Sequence, residues 1–465
     1  LTYGCFDREY WAWATKDFAN FDLQRSIYPL TFCYLHKFPG NKWYGSPRLI
    51  KWIKAAFGYC RTVQHKNGSF DHHYPNEYSV VGTAFPLAEL GLAYQMLHQA
   101  GELTKNEQTS WCEFFSRCAN FLCDMDETHG FISNHRLGAV CGLYLIFKLT
   151  NEKRFIDRAE LILQTVQNKM SKEGWLLEYT GADPGYQTLD TNFMGHYFRL
   201  SNDHVFLEKV VLPSLEFLIY FFHPDGSIGG EHGSRNCPLY YPGGFEVFAP
   251  YSPIAESMAR LGAQAILDGS TTGLNAHDIR NFVPMLSSYC LALEQSSSEK
   301  KSIIGCEMPW EREFERFWPD AGLYIRSDKE RYTIVGCSKG GVTKVFNKNT
   351  NNLEAANSGY YADDKVGTSW STQFHENNIV SGLEDCIGAE VELKPSRVFQ
   401  VESEFYRVPS KRFFTPLRFL IFRIFVLTIG RNIWLNNWVK RNIIIGIFIG
   451  RRNKLGLCLN RELVF

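Results

Sequence analysis

The sequence predicts an incomplete α/α toroid followed by an antiparallel β-sandwich. Three observations carry that expectation. Between about Ser46 and Leu293, apolar residues recur at helical spacing in segment after segment. Within the same region a loop pattern built on glycine returns at intervals of roughly 45 to 60 residues, about one helical hairpin. Near Cys306 the character changes to short β-branched and aromatic runs separated by turn residues. With 465 residues the chain is past the size at which single cores stop growing, so two domains are expected. They are a helical domain over 1–305 and a sheet domain over 306–465.

In chain order, the helical patterns cover Arg48–Phe57, Thr83–Ala100, Trp111–Cys123, Leu137–Leu149, Phe155–Val166, Phe206–Phe221 and Pro253–Leu267. The loops between them share one form: Asn67-Gly68-Ser69-Phe70, His129-Gly130-Phe131-Ile132, Glu173-Gly174-Trp175-Leu176 and Asp225-Gly226-Ser227-Ile228. A repeated helical hairpin stacks on its neighbours and sets equivalent loops on one face. A polar linker, Gln295–Lys301, precedes the second domain. Leu323–Arg326, Tyr332–Val335 and Val342–Phe346 have strand composition there, and Ala389–Leu393 alternates like a half-buried strand. The stretch Phe413–Gly450 mixes arginine and lysine with Phe, Leu, Ile and Trp. No run in it reaches the ~20 apolar residues that a membrane span needs. It reads as a packed C-terminal element, with peripheral membrane contact as the alternative.

Lysine plus arginine equals aspartate plus glutamate at 49 each, which argues against a general nucleic-acid binder. Thirteen cysteines without a CxxC pair point to free thiols in a reducing compartment. No signal peptide begins at Leu1, so the expected location is cytoplasmic, or periplasmic or secreted if a leader precedes it. Neither a metal nor a cofactor is expected. Adjacent His72 and His73 with Asp71, or Glu231 with His232, lack a zinc-type spacing.

Each glycine loop is followed by ionisable groups. Asn76, Glu77 and Tyr78 follow the first, and Asn134 and His135 the second. Tyr186 follows the third, and Glu231, His232 and Arg235 the fourth. Asn134-His135 and Asp183-Pro184-Gly185-Tyr186-Gln187 lie about fifty residues apart on consecutive repeats. In that spacing, and in the toroid-then-sheet order, the chain resembles the heparinase II/III and alginate lyase superfamily, and is similar to dermatan sulfate epimerase. The resemblance implies a carbohydrate-active enzyme, a lyase that removes the C5 proton of a uronic acid in an acidic polysaccharide or oligosaccharide and completes β-elimination.

On that reading Tyr186 is the base, with a second role as the acid left open, and Asn134 and His135 bind the carboxylate or aid proton transfer. His232 is a second acid/base group. Arg235 anchors the substrate anion, while Glu231, Asn76, Glu77, Tyr78 and Tyr240 contact sugar. The chemistry asks for donors that neutralise the carboxylate, so that the enediolate can form. It also asks for a cation that lowers the tyrosine, with His135, His232 and Arg235 as candidates. The sequence departs from the family in one respect. A histidine-rich strand near the start of the sandwich is missing, and His375 matches it poorly. Three alternatives stay open: a uronate C5-epimerase, a toroid hydrolase using carboxylates among Asp71, Glu77, Glu178, Asp183 and Glu231, and a non-catalytic glycan-binding protein in surface-polysaccharide assembly.

Overall fold

The computed structural model of the chain describes residues 2–10, 16–127, 130–296, 303–373, 379–408, 415–444 and 454–465. His129, most of the polar linker, His375 and both ends of the Phe413–Gly450 stretch lie outside the described residues.

After a 3₁₀ turn at Phe21–Ser26 come α1 (Ile27–Leu35), α2 (Pro47–Val63), α3 (Val81–Gln99), α4 (Lys105–Asp124), α5 (Ser133–Thr150) and α6 (Lys153–Lys169). They are followed by α7 (Pro184–Ser201), α8 (His204–Phe206), α9 (Leu212–Leu218), α10 (Gly243–Phe248), α11 (Pro253–Asp268) and α12 (Ile279–Ser296). Local chemistry sets several starts. Ser46 caps α2 ahead of Pro47, and Thr104 and Glu107 form a capping box on α4. The helices with an apolar stripe (α2, α4, α6 and α11) bury that stripe and turn the other face to water. They form the outer layer, with α8 and α9. Those buried nearly all round, such as α3, α5 and α7, form the inner one.

Inner helices pack in the order α1, α3, α5, α7, α10, α12, and α12 returns to α1. A buried polar clamp fastens this closure. Arg25 pairs with Glu89 of α3 and, at 3.2 Å, with Asp22, and Ser287 of α12 donates to Glu89 at 2.7 Å. Removing one partner of such a clamp leaves an uncompensated buried charge. Among the described residues no outer helix follows α12, so the toroid is incomplete.

The glycine repeat is a repeat of backbone geometry. Gly68 donates to His65 O and His65 to Ser69 O. Gly174 does the same to Ser171 O and Ser171 to Trp175 O, and Gly226 to His223 O and His223 to Ser227 O. All three glycines have positive φ, at 91°, 93° and 82°, which a side chain would strain. Each repeat joins an outer helix to the next inner one, so these loops share one end of the ring. After Gly174, a short hairpin of β1 (Leu177–Glu178) and β2 (Gly181–Ala182) leads into α7.

The second domain is a sandwich. One sheet is the antiparallel meander β3 (Phe314–Trp318), β4 (Leu323–Ser327), β5 (Arg331–Gly336), β6 (Val342–Asn347) and β7 (Asn352–Asn357). The other contains β8 (Tyr361–Asp363), β9 (Ser369–Ser371), β10 (Ile379–Ser381), β11 (Val398–Arg407) and β12 (Lys454–Val464). Strand alternation divides the first sheet. Phe317, Tyr324 and Val335 face Phe399, Val401 and Leu463 of the second sheet, while Trp318, Ile325 and Tyr332 join the toroid core. The first sheet is therefore covered on both sides. The alternating Ala389–Leu393 reduces to one bridge between Val391 and Glu315, because Glu390 is drawn to Arg312 and Tyr220.

Between β11 and β12 the chain leaves the sandwich as a helical hairpin, α13 (Pro416–Leu427) and α14 (Ile433–Val439). It reaches back to the first toroid loop. Asn76 donates to Val426 O and Tyr78 to Arg431 O, both at 2.8 Å, and Lys440 pairs with Glu77 at 3.2 Å. Among the described residues no helix is long and apolar enough to cross a membrane.

Candidate active site

The glycine-loop end of the ring opens into a cavity of about 1050 Å³. Its wall carries Asn134, His135, Tyr186 and Arg235, and its roof is Phe419, Phe422, Arg423 and Lys440 of the hairpin. Asn134 and His135 sit in the first turn of α5 and Tyr186 in the first turn of α7. The sequence reading took these positions for loops. They are the N-termini of inner helices, whose N–H groups and dipoles favour an anion in front of them.

A hydrogen-bonded scaffold holds this wall. Glu178 of β1 accepts from the Asn134 side-chain amide at 2.7 Å and its backbone N–H at 3.3 Å. On its other oxygen Glu178 has the Arg235 guanidinium, 3.7 Å away. Asp183 caps α7 by accepting from Tyr186 N–H at 3.0 Å, and it also accepts from Arg235 N–H at 2.7 Å. One carboxylate thus ties the tyrosine turn to the arginine loop. Gly185 permits the approach, since a Cβ there would meet Cys237 O at 2.0 Å. Arg235 then lies over the Tyr186 ring at 4.0 Å and the Tyr179 ring at 4.9 Å. Tyr179 has φ of 60°, a conformation that costs a bulky residue energy and is found at functional sites. His135 Nδ1 lies 2.5 Å from Glu127, a contact that favours a hydrogen on Nδ1.

Burial governs the electrostatics. It pushes the Tyr186 phenol up to about 12, against the opposing pull of Arg235. The expectation that a neighbouring cation lowers this tyrosine is therefore corrected: Arg235 is adjacent, and desolvation outweighs it. Burial likewise raises Glu178 to about 8 and Asp183 to about 6, and it pushes Asp190, one turn beyond Tyr186, well above the usual carboxyl range. Neither Asp190 oxygen has a hydrogen-bond partner. Across the cavity burial would raise Glu77 too, yet Lys440 and His73 outweigh it and hold that carboxylate below its ordinary range. His72 is lowered to about 4 by burial, with His73 adding to the effect.

The remaining expected site residues fall elsewhere. Glu77 lines the cavity, whereas Asn76 and Tyr78 are spent on tying down the hairpin. Glu231 pairs with Lys344 of β6 at 2.8 Å. His232 is buried against Phe221 and His223 with neither ring nitrogen bonded, and burial holds it neutral, well below its usual value. Tyr240 belongs to the core and donates to Met258 O, while its neighbour Tyr241 reaches the cavity. Glu127, Arg423 and Lys440 were not singled out from the sequence. Among the described residues no group of three His, Cys, Asp or Glu is arranged to hold a metal.

Residues 23–244 match the family model described as the Ulvan lyase N-terminal domain. Over the toroid the chain is thus similar to a polysaccharide lyase domain, the superfamily that the Asn134-His135 and Tyr186 motifs implied. No curated protein matches the chain. Three solved structures resemble it at 11% identity. A Streptomyces coelicolor A3 chondroitin AC lyase, in complex with chondroitin sulphate, has a TM-score of 0.48 over 83% of this chain and 60% of that one. A Paenibacillus xanthan lyase has 0.46, over 83% and 40%. Heparinase III has 0.48, over 87% and 70%. The chain spans 60% and 40% of the length of the first two.

Proposed function

We propose that this chain is a polysaccharide lyase that cleaves an acidic polysaccharide at a uronic acid by β-elimination. The observation that carries the reading is the convergence of Asn134, His135 and Tyr186 on one cavity wall, with Arg235 stacked on the tyrosine. A uronate carboxylate set before the α5 N-terminus meets the second Asn134 amide hydrogen and the Arg235 guanidinium. Both neutralise the enediolate that forms when the C5 proton leaves. His135 takes that proton on Nε2, and Glu127 stabilises the imidazolium. The C5–H electron pair becomes the C4=C5 double bond, and the C4–O4 bond breaks with its pair on oxygen. Tyr186, which keeps its phenolic proton at neutral pH, delivers it to O4. This division differs from the expected Tyr186 base, and the reason is the tyrosine's burial. The carboxylate-hydrolase alternative is less well served, because Glu178 and Asp183 are wholly buried behind the wall, while Glu77 is held by Lys440, Glu231 by Lys344 and Asp71 by His65.

Proton NMR in heavy water, with a panel of uronate polymers, tests this reading. A new vinylic H4 signal that Tyr186→Phe abolishes is the expected result. Loss of H5 without a vinylic product would mean an epimerase, and new reducing ends alone a hydrolase.

A further inference from the structure

The hairpin of α13 and α14 has two unlike faces. Phe422, Arg423 and Val426 turn toward the toroid, where Phe422 meets Tyr74, Arg423 pairs with Asp17 and Val426 is buried. The opposite face of α13 carries Leu417, Leu420, Ile421 and Ile424, at i, i+3, i+4 and i+7, all exposed, Ile421 by 59%. On α14, Trp434 and Trp438 stand one turn apart and are exposed, Trp434 by 75%, on the edge of a groove shared with Asp124 and Asp126 of the toroid. Isolated surface aliphatics are ordinary, but a continuous stripe with two tryptophans marks an interaction surface.

Charge selects the partner. Between Glu404 and Glu462 the sequence contains no aspartate or glutamate, while arginine and lysine recur throughout, so this stretch concentrates basic charge in a chain whose totals balance at 49 and 49. On the hairpin, Arg418 follows Leu417 of the stripe and Arg431 and Arg441 flank α14, all three exposed. A second copy docked on this face would set these cations against their own symmetry mates. An anionic bilayer answers both features, since aliphatic side chains enter the acyl boundary, tryptophans sit at the headgroup level and arginines meet phosphates. Spanning is excluded for α13 itself, because its twelve residues rise about 18 Å against a hydrocarbon core of ~30 Å.

We propose that the outward face of this hairpin docks the protein onto the surface of an anionic lipid bilayer. Phe419 and Phe422 also line the cavity, so docking sets the cavity roof at the membrane. The proposal rests on the hairpin alone and is independent of the reaction performed below it.

The test is flotation of the full chain with phosphatidylcholine vesicles, with and without phosphatidylglycerol, read together with tryptophan emission. Co-flotation with the anionic vesicles only, lost at high salt and accompanied by a blue shift, is the expected result. Ile421→Asp with Ile424→Asp should weaken partitioning about ten-fold or more, and Arg418→Gln with Arg431→Gln and Arg441→Gln should abolish the preference for anionic lipid. Each variant should keep the parent's circular dichroism, because its substituted side chains are exposed. Equal binding to both vesicle types would overturn the proposal. So would absence of flotation, or concentration-dependent dimerisation that the Ile421 and Ile424 changes prevent.

Discussion

In the sandwich, Glu315 of β3 is wholly buried and meets Arg326 of β4, Arg397 at 2.5 Å and the Lys394 backbone N–H at 3.1 Å. Arg397 in turn holds Asp385 at 2.8 Å, so every charge in that cluster has a partner. In the toroid, Glu178 is equally buried, yet one of its oxygens has only a guanidinium 3.7 Å away, and two further carboxyls, Asp183 and Asp190, add to its burden. Glu315 fastens strands and the loop before β11. Glu178 orients an amide and an arginine that face a cavity. A buried carboxyl with complete partners serves the fold, whereas one with incomplete partners stays protonated until alkaline pH and holds a site ready for an incoming anion.

The largest expected effect lies on the toroid side. Tyr186→Phe should lower the elimination rate by about 10²- to 10⁴-fold while leaving the thermal midpoint near that of the parent. On the sandwich side, Glu315→Ala strands two arginines and should destabilise the fold by ~3–5 kcal/mol in denaturant titration, with turnover per folded molecule unchanged. If that variant lost turnover instead, the division between the two carboxyls would fail. Glu178→Gln keeps an acceptor for Asn134 and removes the pull on Arg235 only above about pH 8, where Glu178 ionises, so kcat should fall about ten-fold there and stay near that of the parent at neutral pH.

The same variant sharpens the comparison through pH. The folded chain binds the Glu178 proton more tightly than the unfolded chain does, because burial lifts its pKa from 4.5 to about 8. Its contribution is therefore complete below about 4.5 and declines as pH rises toward about 8. Thermal midpoints should fall across that window in the parent and fall less in Glu178→Gln. The smallest effect is expected at the rim. Lys440→Met should raise KM by about two- to five-fold, with kcat retained and with weaker dependence on salt.

The sequence revealed α2, α4, α6 and α11, which each repeat apolar residues on one side, and also α3 and α5, which are rich in apolar residues and buried nearly all round. It did not reveal α7. That helix is buried all round, and Gln187, Thr188, Asp190, Thr191, Asn192 and His196 are polar, so no period separates an inside from an outside. The spacing of Asn134-His135 and Tyr186 was enough to bring out three residues of one wall. His232 and Tyr240 follow the same glycine-rich pattern, but the first sheet covers the fourth loop, and a sheet arriving from another domain leaves no local trace. Glu127 was missed because it precedes the second glycine loop whereas the residues singled out follow it, and Arg423 and Lys440 because their partners, Asp17 and Glu77, are distant in the chain. The acid-free stretch after Glu404 was the available signal for the last two.

The feet of the roof hairpin stand on neighbouring strands, with Tyr406 of β11 opposite Lys454 of β12. Such an anchorage makes the excursion a replaceable cassette. Closing a longer segment between two fixed feet costs only about 0.6 kcal/mol for each doubling of its length. Asn134, His135 and Tyr186 stand on inner helices and would remain, while Asn76, Glu77 and Tyr78 would lose the partners that the hairpin gives them. The height and lining of the cavity roof can therefore change through one insertion point without rebuilding the ring beneath it.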